Sequence, residues 1–95
     1  MATSYTGLSI TVTVDHIQRG QRQSCARCPI ALALLDVIPL ADVNVDVGCI
    51  RIDDMCYATP KIVNSFIYRF DRTKNREELA SFTFTLGQAW QPDNP

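Results

Sequence analysis

The chain has 95 residues, enough for one domain and too few for a catalytic domain behind a separate cofactor domain. Hydrophobic residues make up 46%, which supplies a core and excludes an intrinsically disordered chain. Nine Lys+Arg against ten Asp+Glu give a net charge of -1, which argues against a general polyanion binder.

Residues 1–7 have no periodicity and read as a loose lead-in. Leu8, Ile10, Val12 and Val14 then alternate with Ser9, Thr11 and Thr13. Period two with β-branched residues on both faces predicts a strand. Residues 15–27 are polar; Asp15 is positioned to cap a short turn holding His16 and Ile17, with Gly20 at its end. Cys28-Pro29 predicts a helix start, with Cys28 as N-cap and Pro29 at the first helical position, where its missing N–H has no partner in any case. The helix runs to Ile38 and is apolar on almost every face until Asp36. Such a helix is sandwiched inside the fold or forms part of a subunit contact.

Val43, Val45 and Val47 alternate with Asn44 and Asp46, a second strand. Ile50 and Ile52 alternate with Cys49 and Arg51, a third. Asp53-Asp54 reads as a turn, and residues 55–58 as a short strand folding back. Thr59-Pro60 predicts a second helix, capped by Thr59, whose stripe is Ile62, Val63, Phe66, Ile67 and Phe70. Residues 71–78 form a charged connection. Phe82, Phe84 and Leu86 alternate with Thr83 and Thr85, the last strand. Residues 88–95 are a loose polar end carrying Trp90.

The order β-α-β-β-(β)-α-β predicts one α+β domain with helices on one face of a mostly antiparallel sheet. A ferredoxin-like split βαβ, or a close variant, satisfies it. A meander of the middle strands, with the first and last strands added at its edge, satisfies it too. Either fold hosts many activities and selects none.

Two further exclusions follow. The longest apolar run, residues 29–35, is far short of the roughly 20 residues needed to cross a bilayer, so no membrane partner is expected. Residues 1–13 show no basic start followed by an apolar stretch and a cleavage site, which predicts a cytoplasmic protein. No export signal supports an oxidising compartment, so structural disulfides are not the favoured use of the four cysteines.

Three chemistries compete for those cysteines. Cys25-x-x-Cys28 at a helix start suits a thiol–disulfide oxidoreductase, because the helix N-terminus stabilises a thiolate. Cys25 is then the outer nucleophile and Cys28 the resolving thiol. A zinc site is the second reading, with His16, Cys25 and Cys28 as ligands and Cys49 or Cys56 as the fourth. Its second half is irregular, since Cys49 and Cys56 are six residues apart rather than two. The plainest reading makes Cys25 and Cys28 small hydrophobes that pin the loop, with His16 as a hydrogen-bonding loop residue and no cofactor.

Charge is segregated along the chain. Residues 36–54 hold five Asp and one Arg, whereas residues 61–76 hold five Lys+Arg and one Asp. Such segments either pair across the fold or guide protein contacts. Nucleic acid is disfavoured, because the predicted strands carry no open face of stacking aromatics.

The segment His16-Ile17, Gly20, Cys25-x-x-Cys28-Pro29-Ile30-Ala31-Leu32-Ala33-Leu34 resembles a pattern in small uncharacterised proteins of tailed bacteriophages. Arg69-Phe70-Asp71 and Phe82-Thr83-Phe84 look similar as well. The resemblance implies a phage origin in a bacterial host cell and no mechanism. The expected function is therefore a non-enzymatic accessory protein acting through protein–protein contacts, as a homo-oligomer or with a host or virion protein. Ile30, Leu34 and Val37 are expected to form a buried or intersubunit face, rimmed by Arg19, Arg22 and Arg27. Tyr68, Arg69, Arg72 and Trp90 are further contact candidates. A zinc-stabilised adaptor for nucleic acid or protein and a thiol–disulfide oxidoreductase are the alternatives.

Overall fold

A computed structural model of the chain describes residues 5–90. The alternation of the first strand buries Ile10 and Val12 completely and leaves Ser9 and Thr11 outside on β1 (Ser9–Val12). Its antiparallel partner is β5 (Phe82–Thr85), with Ile10 opposite Phe84 and Val12 opposite Phe82. The polar face of this two-stranded ribbon is open to solvent. Its hydroxyls bond one another across the strands, Ser9 to Thr85 at 3.3 Å and Thr11 to Thr83 at 3.0 Å.

The second sheet is antiparallel throughout, in the order β2 (Val43–Val45), β3 (Cys49–Ile52), β4 (Met55–Ala58), β6 (Ala89–Trp90). Val43, Val45, Ile50, Ile52 and Tyr57 face the core. The β3–β4 hairpin turns on Asp53-Asp54, as expected, with Asp53 in the left-handed region at φ 55°. β5 and β6 belong to one run of chain that pairs first with β1 and then with β4, joining the two sheets. The α+β class, with helices packed against antiparallel sheet, is as expected, and β2, β3 and β4 form the expected meander. The single sheet of the ferredoxin-like and meander arrangements is corrected: the first and last expected strands, β1 and β5, pair with each other as a separate sheet, and β6 takes the edge beside β4.

The described parts of the two expected loose ends are held in place. The Tyr5 N–H donates to the Tyr57 hydroxyl at 2.8 Å, and the Gly7 N–H to the Leu86 carbonyl at 2.8 Å. Ala89 and Trp90 pair with Tyr57 and Cys56. Residues 1–4 and 91–95 lie outside the described part.

The polar segment after β1 contains a helix, α1 (Val14–Arg19), capped by Thr13 rather than Asp15. The Thr13 hydroxyl accepts from the His16 N–H, and His16 Nδ1 accepts from the Thr13 N–H at 2.9 Å. This is a capping box in which His replaces the usual Glu or Gln. Asp15 instead pairs with Arg19, one turn on, at 2.8 Å.

Cys28 caps α2 (Pro29–Val37) and Pro29 opens it, as the sequence predicts. The helix lies against α1, β1 and β2, which bury Ile30, Ala31, Ala33 and Leu34. Of the two expectations for Ile30 and Leu34, the buried face holds and the intersubunit face is corrected: both are at 0% exposure, covered by their own chain. Exposure is greatest at the far end of α2, with Val37 half exposed and Leu40 beyond it fully exposed.

α3 (Lys61–Arg72) is capped by Pro60, not Thr59. The Thr59 hydroxyl donates to the Asp46 carbonyl at 2.7 Å and ties the helix start to the end of β2. Val63, Phe66 and Phe70 form the buried stripe, and the Phe66 ring lies 4.9 Å from that of Phe82 on β5. Ile62 falls outside the stripe and is 49% exposed. A short 3-10 turn, Arg76–Glu78, occupies the charged connection. Among the described residues no helix is long and apolar enough to cross a membrane.

Candidate functional site

Cys25 and Cys28 line the same pocket, a depression of about 240 Å³ whose apolar walls are Val45, Val47, Ile67 and Phe70. Asp46 and Asp71 also line it. The loop is pinned there by the Val45 N–H, which donates to the Cys25 carbonyl at 2.8 Å. Cys25 is exposed and Cys28 is buried. Burial pushes the Cys28 thiol above its ordinary value. The Ile30 and Ala31 amides at the helix start pull it down by less, and no cap hydrogen bond is formed to its side chain.

His16 stands apart from both thiols. It is buried, its Nδ1 accepts from the Thr13 amide, and its Nε2 donates to Asp36 on α2 at 2.5 Å. Both ring nitrogens are thus committed, and the ring ties α1 to α2. The expected ligand set of His16, Cys25, Cys28, Cys49 and Cys56 is corrected on this point. Among the described residues no three His, Cys, Asp or Glu side chains come together to hold a metal. Cys49 and Cys56 sit on the β3–β4 hairpin, on the face turned away from the core.

The three arginines expected to form a rim have separate tasks. Arg19 pairs with Asp15. Arg22 closes the end of α3, donating from Nε to the Phe70 carbonyl at 3.3 Å and from Nη2 to that of Thr73 at 2.5 Å. Arg27 is exposed. A fourth, Arg76, does for α1 what Arg22 does for α3. Its Nη1 donates to the carbonyls of Ile17 at 3.3 Å and Gln18 at 2.7 Å, and its guanidinium lies 4.9 Å from the Phe70 ring centre. Cations at helix C-termini are favoured by the carbonyls left unpaired there.

Tyr68, Arg69 and Arg72 do come together, on the outer face of α3. Their spacing of one helical turn places Arg72 over Tyr68, with the guanidinium carbon 3.7 Å from the ring centre. The Arg72 Nη1 also donates to the Tyr68 carbonyl at 3.2 Å. Tyr68 is 60% exposed. Two shallow grooves of about 300 and 200 Å³ flank the helix. Arg69 and Leu79 line both, with Tyr68 in one and Ile62 in the other. Trp90 is elsewhere, on the outer face of the four-stranded sheet opposite Cys56.

The two ion pairs among the described residues are His16–Asp36 and Arg19–Asp15. Neither joins the acidic segment 36–54 to the basic segment 61–76. The basic face of α3 and the acidic group around Asp42, Asp53 and Asp54 are therefore not neutralised by each other. No protein family and no curated protein matches the chain, and no solved structure does.

Proposed function

We propose that this protein acts through protein–protein contacts rather than catalysis, and that the outer face of α3 is its contact surface. One observation carries the reading: an exposed Tyr68–Arg72 stack stands beside two shallow grooves that Arg69 also lines. Tyrosine and arginine dominate binding hot spots, because each offers a large rigid surface and directed donors at modest entropic cost. The partner that suits this face is acidic. A second copy supplies such a surface at Asp42, Asp53 and Asp54, which makes a homo-oligomer the first expectation. The sequence resemblance to small phage proteins extends the proposal to a host or virion protein met in the bacterial cytoplasm.

Sedimentation velocity at tens of micromolar protein tests it. The wild type is expected to sediment as an oligomer, more weakly at high salt, and Arg72→Glu as a folded monomer. A wild-type monomer at these concentrations removes self-association. An oligomer indifferent to Arg72→Glu and to Tyr68→Ala removes α3 as its surface.

A second reading, thiol chemistry at Cys25, is favoured by its exposure at the mouth of an apolar pocket that also holds Cys28. It requires Cys25 to outpace the other thiols.

A further inference from the structure

The outer face of the four-stranded sheet carries two thiols that neither the α3 face nor the Cys25 pocket uses. In the β3–β4 register Cys49 lies opposite Ala58, and Cys56 lies opposite Arg51. Cys49 and Cys56 therefore share one face and sit one diagonal step apart. Diagonal neighbours have Cα atoms about 7–8 Å apart and β-carbons closer, within reach of longer side chains. Cys56 is buried and Cys49 is half-buried, so a reagent meets Cys49 first. Directly across from Cys56 on β6 is Trp90, the single tryptophan of the sequence.

We infer that Cys49 and Cys56 form a vicinal dithiol that small disulfides, such as oxidised glutathione, convert to a disulfide across the hairpin. The Cys49 thiolate attacks one glutathione sulfur; a Cys49–glutathione bond forms, the glutathione disulfide breaks, and one glutathione thiolate leaves. The Cys56 thiolate then attacks the Cys49 sulfur and releases the second. Two protons pass from the protein thiols to the departing thiolates or solvent, and two electrons pass to glutathione. Disulfides prefer Cα separations of about 4.4–6.8 Å, so closing the bond draws β3 and β4 together along that diagonal. β6 pairs with β4 there, which makes Trp90 the reporter.

The same geometry sets the rate. Burial first, and the neighbouring Cys56 thiol second, push Cys49 up to about 11; Arg51 pulls it down by less. On this face β2 presents the uncharged Asn44, and β4 presents Cys56 and Ala58. Only the thiolate attacks, so oxidation is slow at neutral pH and rises about tenfold per pH unit up to the region of that value.

The test uses the full chain with oxidised glutathione from pH 7 to pH 10, quenched with acid, alkylated and mapped by tandem mass spectrometry, with Trp90 emission followed in parallel. The expected product is two hydrogens lighter, joins Cys49 to Cys56, shifts Trp90 emission, and reverts with dithiothreitol. The Cys25→Ser, Cys28→Ser double variant is expected to give the same product. A stable glutathione adduct on Cys49 with Cys56 still alkylatable overturns the inference, and so does pairing of Cys49 with Cys25 or Cys28.

Discussion

Replacing Gly20 with alanine puts a methyl group where the end of α1 meets the start of α2. An ideal Cβ at Gly20 lies 2.4 Å from Pro29 Cδ, 2.5 Å from Cγ and 2.7 Å from the Pro29 nitrogen. Non-bonded carbons rest at about 3.5–4.0 Å, so the two elements must part by roughly 1 Å. Pro29 cannot yield, because its ring is closed onto the backbone at the first position of α2. The elements are also held together nearby by the His16–Asp36 contact. Overpacking of this kind costs about 1–3 kcal/mol. Gly20 has φ -66° and ψ 150°, open to any residue, so alanine regains about 0.4–1 kcal/mol by restricting the unfolded chain. The net loss is about 1–2 kcal/mol, and a domain of this size loses roughly 4–8 °C of melting temperature per kcal/mol. Thermal unfolding followed by circular dichroism should thus show a fall of roughly 5–15 °C. Gly87→Ala is the control: its Cβ meets no described atom within 4 Å, and it should gain the entropic term alone. If Gly20→Ala melts with or above Gly87→Ala, the close approach of α1 to Pro29 is wrong.

Two further outcomes follow from the buried histidine and the pocket thiols. His16→Ala should lower stability by about 1–3 kcal/mol in urea, since it orphans the Thr13 amide and cuts the tie to Asp36. His16→Gln keeps an acceptor for Thr13 and a donor for Asp36, and should recover most of the loss; equal destabilisation by both would refute the capping role. Near neutral pH, iodoacetamide should modify Cys25 first. Cys28, buried and pushed upward, holds less thiolate and should react far more slowly, catching up as pH rises. Equal slow labelling of Cys25 and Cys28 would end the thiol-chemistry reading.

Strands and helices with a strong period were legible in the sequence. Ile10 and Val12, Phe66 and Phe70, and the Cys28-Pro29 start all report local preferences that the tertiary structure reinforces. The sequence shows α1 only as a turn. Its signal, Thr13 followed three residues later by His16, departs from the Ser/Thr-x-x-Glu/Gln pattern, and the histidine works only because α2 brings Asp36 to its other nitrogen. Ile30 and Leu34 show the limit of apolarity as evidence, because a helix apolar all round gives no sign of whether its own chain or another covers it. Tyr68 and Arg72 were legible as neighbours through their spacing, which needs only the helix. Arg22 and Arg76 were not, because the carbonyls they close lie 48 to 59 residues away in sequence. Strand order was likewise beyond local signals, since residues 86–88 divide one run of chain into β5 and β6, which pair in different sheets.

That divided last strand also governs when the chain can fold. β1 emerges early, yet its only partner strand among the described residues is some 76 residues downstream, at the distance separating Ser9 from Thr85. Closing so long a loop is unrewarded until the final contacts form, and topologies rich in such pairings fold slowly. On the ribosome, β2, β3 and β4 can assemble as a local meander, and α2 can pack on β1, while the ladder bonds of β1 wait until residues 82–85 clear the exit tunnel. This late segment thus acts as a clasp, and mutations in β5 or β6 should lower the yield of folded protein.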